Sequence, residues 1–215
     1  MKSELKIILI IAVILLGTFV FLIFRPDAYL PHQKIIISVP FEKTDLPINL
    51  IPMGETINHP KPQVPNGHPG IDFQWHHNSN ILSSSDGQVS SIKLGSSNPG
   101  KWDVEVRSGL YLLRYKELED YNSDLKIGSK VKKDDLIGHP GAYNFPDHPG
   151  TEYQIHWELA SISLVLDRWC PMIYFDEESR KIMEKIWENV SADDKIKKQF
   201  PYICSGDYYK KEEKV

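Results

Sequence analysis

Two short segments far apart in the chain hold residues whose types and spacing suit metal chemistry. Gly67-His68-Pro69-Gly70-Ile71-Asp72 supplies an imidazole and a carboxylate, and Gln154-Ile155-His156-Trp157-Glu158 supplies a second imidazole. Two histidines and one carboxylate form the set that a catalytic zinc ion with an open fourth position needs. The spacing then limits the backbone. In an extended chain His68 and Asp72 would lie about 13 Å apart, too far for two bonds of roughly 2 Å each. A helix would close that gap, but Pro69-Gly70 argues against one. The expectation is a tight turn at Pro69-Gly70 that swings His68 back over the strand carrying Asp72. Gln154 and His156, two apart on a strand, project from one face.

The elements that must hold these residues read as short β-strands between turn signals. Lys34 to Val39, with Ile-Ile-Ile-Ser-Val after the lysine, reads as a strand. A long irregular stretch follows over 40–67, punctuated by Pro40, Pro47, Pro52, Pro60, Pro62 and Pro65, which forbids long helices. Asp86-Gly87, a hairpin-type dipeptide, separates Ile81-Leu82 from Val89–Leu94. Trp102–Val106 alternates, Ser108-Gly109 turns, and Leu110–Tyr115 continues. Ile127–Ser129 precedes Lys130–Gly138, and a last strand covers roughly Glu152–Leu159. Strands spaced about 8–12 residues apart predict a mainly β fold, an antiparallel β sandwich or partly open barrel. Ile182, Met183, Ile186, Trp187 and Val190 then fall at helical spacing behind Asp176, Glu177 and Glu178. That pattern predicts a C-terminal amphipathic helix docking on the core.

The N-terminus differs in kind. Ile7 to Phe24 is an unbroken run of 18 apolar and small residues, reaching roughly 27 Å, close to the hydrocarbon thickness of a bilayer. Lys2 and Lys6 precede it, so the positive-inside rule favours a cytoplasmic start. A single-pass anchor in the cell membrane, with the bulk of the chain extracytoplasmic, is the reading. A cleaved signal peptide is the alternative, but its apolar core usually runs about 7–15 residues, and Phe24-Arg25-Pro26 offers no small-x-small cleavage site. The net charge of −4 and dispersed basic residues leave no footprint for nucleic acid. Cys170 and Cys204 are the only cysteines; they would pair if the domain is exported and stay as free thiols if not.

The ordered series resembles the lysostaphin-type (LytM-like) zinc metallopeptidases, which cleave peptide cross-links of bacterial cell walls. The resemblance runs over about residues 50–160. It rests on His68-Pro69-Gly70-Ile71-Asp72, Ser85-Asp86-Gly87-Gln88-Val89, Leu125–Val131, Leu136-Ile137-Gly138 and Gln154–Leu159. It implies one zinc ion held by His68, Asp72 and His156, a groove in a LytM-like β fold, and a peptide or peptidoglycan-like substrate. The chain then divides into an anchor (1–25), a spacer with the first strand (26–49), a LytM-like domain (50–170) and a helical extension with a solvated tail (171–215).

Two departures accompany the resemblance. The family has a His-x-His pair on the last strand, and its first member here is Gln154. It also has a histidine two residues after the tyrosine in Tyr115-Lys116-Glu117-Leu118, where this chain carries Glu117. Gln154 cannot take a proton but its amide can donate to a developing oxyanion. Glu117 can serve as general base toward the attacking water. Two readings follow: an altered zinc metallopeptidase using Glu117 and Gln154, or a degenerate domain that binds peptide or glycan. His148, in the loop entering the last strand, is a further candidate to replace a missing histidine. His59, His76, His77 and His139 sit beside turns or prolines and read as solvent-facing.

Overall fold

The computed structural model describes residues 2–24, 35–54, 67–95, 98–143, 152–162, 168–189 and 202–205. Helix α1 spans Lys2–Phe24. The strands are β1 (Asn49–Ile51), β2 (Ile71–Trp75), β3 (Ile81–Leu82), β4 (Gly87–Leu94), β5 (Trp102–Ser108), β6 (Tyr111–Tyr121), β7 (Lys130–Val131), β8 (Leu136–Ala142), β9 (Tyr153–Ser161) and β10 (Arg168–Trp169). A short 3-10 turn at Pro171–Ile173 leads to α2, Glu177–Asn189.

All ten strands join one antiparallel sheet in the order β1-β2-β9-β8-β6-β5-β4-β7, with β10 on β9 and β3 on β8. Strand β9 is its centre. One edge of β9 lies along the whole of β2, from Ile71–Trp157 to Trp75–Tyr153. Its other edge forks: Tyr153 and Gln154 pair with Ala142 and Gly141 of β8, while His156–Ser161 pair with Lys116–Tyr111 of β6. The two-way pairing bends the sheet around β9, so the predicted antiparallel β architecture takes the form of one continuous sheet.

Alternation along β9 puts Ile155, Trp157 and Leu159 on an apolar face with Phe73, Trp75, Leu113, Tyr115, Val104 and Val106, all essentially buried. Phe41 meets Phe73 and Trp75 edge-on, with ring centroids 5.1 and 5.7 Å apart. Trp157 stacks on Phe175. Trp75 and Trp157 are thus core residues. Helix α2 lays Met183 and Ile186 on this core, and its start is capped by the Asp176 carboxylate, which accepts from Ser179 N at 2.7 Å. Val190, expected on the same face, lies outside the described residues.

Two local expectations are corrected. The 34–39 segment does not form a strand over its described residues 35–39. Ile37 N bonds Tyr174 O, Ser38 N bonds Ser84 O, and Val39 N bonds the Ser179 hydroxyl. Its polar groups go to three different elements, so no ladder forms and only an isolated bridge to Phe175 remains. Asp86-Gly87 does not close a hairpin either. β3 pairs with β8, β4 pairs with β5 and β7, and Asp86 Oδ1 instead accepts from Lys133 N at 2.8 Å.

Large apolar side chains of α1 from Ile7 to Val20 are exposed. Among the described residues no helix is long and apolar enough to cross a membrane.

Cys170 and Cys204 form a disulfide across a sequence separation of 34. It fastens the end of β10 to a terminal segment that lies against Met53, through Met53 N to Ile203 O (2.8 Å) and Ser205 N to Met53 O (3.1 Å). Closing a loop of that length removes about 3–4 kcal/mol of unfolded-state entropy. Cys204→Ala should lower stability by about that amount, and urea unfolding of the oxidised wild type beside the variant checks it.

Candidate metal centre

His68 is placed by backbone pairing. It bridges Gly54, with Gly54 N donating to His68 O at 2.8 Å. Its Nδ1 donates to the Pro52 carbonyl at 2.9 Å. A carbonyl only accepts, so the proton sits on Nδ1 and Nε2 is left with its lone pair facing inward. The chain then turns at Pro69-Gly70 into β2. Gly70 is needed for that turn to close: a Cβ there would lie 2.5 Å from Trp157 O and 2.8 Å from His156 Nε2. Asp72 stands directly opposite His156 in the β2–β9 register.

The three expected ligand atoms converge. His156 Nδ1 is 2.6 Å from Asp72 Oδ1, His68 Nε2 is 3.2 Å from the same oxygen, and the two ring nitrogens are 3.1 Å apart. All three residues are buried. A tetrahedral ion with bonds of about 2.0–2.1 Å holds its ligand atoms about 3.3 Å apart. The donor set and its spacing therefore suit zinc, with a small expansion of the Asp72–His156 contact.

Residues 66–164 match the model of Peptidase family M23. The matched segment holds all three converging residues. Among solved structures this chain is similar to Csd3 of Helicobacter pylori (22% identity over 72% of this chain and 43% of that chain, TM-score 0.45). It is similar also to the antimicrobial peptidase lysostaphin from Staphylococcus simulans (19%, 58% and 48%, TM-score 0.45). A third likeness is to a chain of the SpoIIQ-SpoIIIAH pore forming complex (18%, 71% and 98%, TM-score 0.47). The chain spans under half the length of the Csd3 and lysostaphin chains it matches. No curated protein matches it.

Gln154 and Glu117, the two positions where the resemblance leads one to expect histidines, touch each other. Gln154 Nε2 donates to Glu117 Oε2 at 3.0 Å, and Gln154 Oε1 accepts from Gln74 Nε2 at 2.7 Å. Gln74 in turn accepts from Asn49 Nδ2 at 2.6 Å. Asn98 Nδ2 bonds the other Glu117 oxygen, Oε1. Glu117 has a positive φ of 69°, uncommon for a residue with a side chain. That twist lets consecutive residues reach one face: Lys116 contacts Glu158 while Glu117 contacts Gln154. His76 and His77 are exposed and His139 half-buried against Asp120. His59 and His148 lie outside the described residues.

Sequence reasoning missed the residue on the far side of His156. Glu158 Oε1 lies 3.0 Å from His156 Nε2 and 3.2 Å from Lys116 Nζ. Its Oε2 accepts from Arg114 Nη1 at 2.7 Å and Arg168 Nε at 3.0 Å. The available signal was the two-residue alternation Gln154, His156, Glu158, which puts all three side chains on one face.

Charge in this centre is strongly coupled. Burial works against ionised Asp72, yet the neighbouring His68 and His156 outweigh it and hold the carboxyl well below its usual range. Burial pushes Glu158 upward too, but the hydrogen bond and charge of His156, then Lys116 and Arg114, hold it far below the ordinary value. For His156 burial disfavours the cation, but Asp72 and then Glu158 raise it to about 9. The folded value exceeds the unfolded one, so the metal-free protein keeps this stabilisation below about pH 6.5 and loses it as pH rises through about 9. A zinc ion held there would take the proton's place on His156, so the loaded protein should lack that loss. Thermal unfolding of zinc-loaded and chelator-treated protein from pH 6 to 9.5 should diverge with rising pH; parallel curves would refute His156 as a ligand.

Proposed function

We propose that this chain is a membrane-anchored, extracytoplasmic zinc metallopeptidase acting on peptide bonds of cell-wall cross-links. The observation that carries the reading is the convergence of His68 Nε2, Asp72 Oδ1 and His156 Nδ1 inside the segment that matches Peptidase family M23. The apolar run of α1 behind Lys2 and Lys6 supports the anchor, and the disulfide suits an oxidising compartment. Bound there, zinc would polarise the scissile carbonyl and make water acidic enough to attack at neutral pH.

The chain's own residues divide the remaining work. Glu117 takes the proton from the attacking water. Both its oxygens accept amide hydrogen bonds, yet each keeps a further lone pair for that proton. Gln154 aims Glu117 with one N–H and offers its second to the developing oxyanion. The Gln74 amide behind it fixes which end of Gln154 carries the nitrogen.

His68→Ala should abolish stoichiometric zinc, read by metal analysis of the purified protein. Glu117→Gln should leave zinc in place and lower kcat by about 10²–10⁴ on a cross-linked peptidoglycan peptide. Unchanged hydrolysis by that variant would remove Glu117 from the mechanism.

One observation favours a second reading, a peptide- or glycan-binding module without turnover. The Gln154 amide is tied into the Asn49–Gln74–Gln154–Glu117 chain of hydrogen bonds and does not titrate. If wild type hydrolyses no cross-linked peptide, the double variant Gln154→His with Glu117→His should gain hydrolysis, because the ligand triad is already in place.

A further inference from the structure

The expected ligand His156 stands between two carboxylates, and only one of them faces the presumed ion. Asp72 meets Nδ1, and Glu158 meets Nε2 on the opposite edge of the ring. The Glu158 side chain is fully buried. Its two oxygens face four donors: His156 Nε2 and Lys116 Nζ at Oε1, Arg114 Nη1 and Arg168 Nε at Oε2. A carboxylate offers about four acceptor sites, so this one is saturated. Swinging away would cost it the charge-assisted bonds to buried Arg114 and to half-buried Lys116 and Arg168.

The framework behind it is also fixed. Arg114 donates Nε to Glu105 at 2.9 Å, while Arg168 opens β10, which pairs with β9 at Ala160 and Leu159. Arg114 stands opposite Glu158, and Lys116 opposite His156, in the β6–β9 register. Three cations from two strands therefore hold one carboxylate against one edge of one imidazole. An ionised carboxylate only accepts, so the ring nitrogen facing it must carry a hydrogen. In a neutral imidazole that leaves the lone pair on Nδ1, the atom beside Asp72 and His68.

We propose that Glu158, clamped by Arg114, Lys116 and Arg168, is a positioning residue that fixes the tautomer and ring orientation of His156 so that Nδ1 binds the metal. The proposal rests on the zinc reading above and adds to it the reason one nitrogen rather than the other is the ligand. Lys116, Arg114 and Arg168 act only through Glu158.

Two variants of the full chain test it by zinc affinity, measured by competition with a chromophoric chelator. Glu158→Gln keeps the size but loses the charge, and Glu158→Asp keeps the charge but draws the carboxylate back by one methylene. Both should bind zinc about 10–100-fold more weakly than wild type, the usual effect of removing a partner that orients a metal-bound histidine. A Glu158→Gln protein within twofold of wild type overturns the proposal. So does a Glu158→Asp protein matching wild type while Glu158→Gln is weak, because net charge alone would then account for the loss. Removing this carboxylate endangers folding, so a measurement on unaltered protein stands beside the variants. Nitrogen-15 NMR of zinc-loaded wild type should show His156 with a protonated Nε2 and a metal-shifted Nδ1, and the reverse assignment overturns the proposal. Wild type that takes up no zinc overturns the metallopeptidase reading together with this one. Wild type that binds zinc as tightly as its folded Glu158 variants overturns only this one.

Discussion

The structure depends on β9 being buried on both faces while only one face is apolar. Ile155, Trp157 and Leu159 enter a hydrocarbon core; Gln154, His156 and Glu158 enter a second interior built of charges and amides. Burying ionisable groups costs several kcal/mol each unless every one is paired. The sheet meets that demand in rows. The Asp72–His156–Glu158–Arg114–Glu105 row runs from β2 through β9 and β6 to β5, with Lys116 and Arg168 filling the Glu158 oxygens. A second row runs beside it, the amides of Asn49, Gln74 and Gln154 ending on the Glu117 carboxylate. Removing one member leaves its neighbour unpaired, so the rows behave as units.

The rest of the fold delivers backbone to those rows. Gly70 lets the turn pass within contact of the Trp157 carbonyl, which brings His68 to Asp72 and His156. The Pro52 carbonyl orients His68, and Pro52 lies next to Met53, the residue paired with the disulfide-held segment at Cys204. The other half of that disulfide, Cys170, follows β10, whose Arg168 grips Glu158. The Cys170–Cys204 bond thus connects the backing of one ligand to the backing of the other. Covalent closure reinforces the part of the domain where short strands and irregular backbone supply few ladder hydrogen bonds of their own.

Much of this was legible in the chain and some was not, for identifiable reasons. The convergence of His68, Asp72 and His156 could be read because their residue types suit a metal and because Pro69-Gly70 argues for a turn between the first two. The strands over Trp102–Val106 and Leu110–Tyr115 could be read from alternation and from Ser108-Gly109, though the second runs on to Tyr121. Glu158 was overlooked because its partners lie 44 and 10 residues away, and a strand carboxylate reads by default as a solvated one. The 35–39 run failed as a strand because β propensity reports a fit to a pleated surface, and here the neighbours were a helix cap and two loops. Asp86-Gly87 failed as a hairpin because turn chemistry fixes a local bend without naming the partner strand. The backbone twist at Glu117 leaves no mark in composition at all, since glutamate rarely adopts it.

That twist bears on how the two departures from the family pattern should be understood. Taken separately, Gln154 and Glu117 stand where the sequence resemblance leads one to expect imidazoles. In the folded sheet they are one hydrogen-bonded pair: an amide that can donate, aimed by Gln74, and a carboxylate that can accept, held by Asn98 and Gln154. The exchange keeps a proton acceptor and a hydrogen-bond donor on the face that carries His156 and reassigns them to different side chains. It also removes the capacity of either position to become cationic. Glu117 adds negative charge next to Gln154, two residues before His156 on β9. The chemistry open to this pair is therefore narrower than that of two imidazoles: a carboxylate that can accept a proton and an amide that hydrogen-bonds without charge, with no cation at either position.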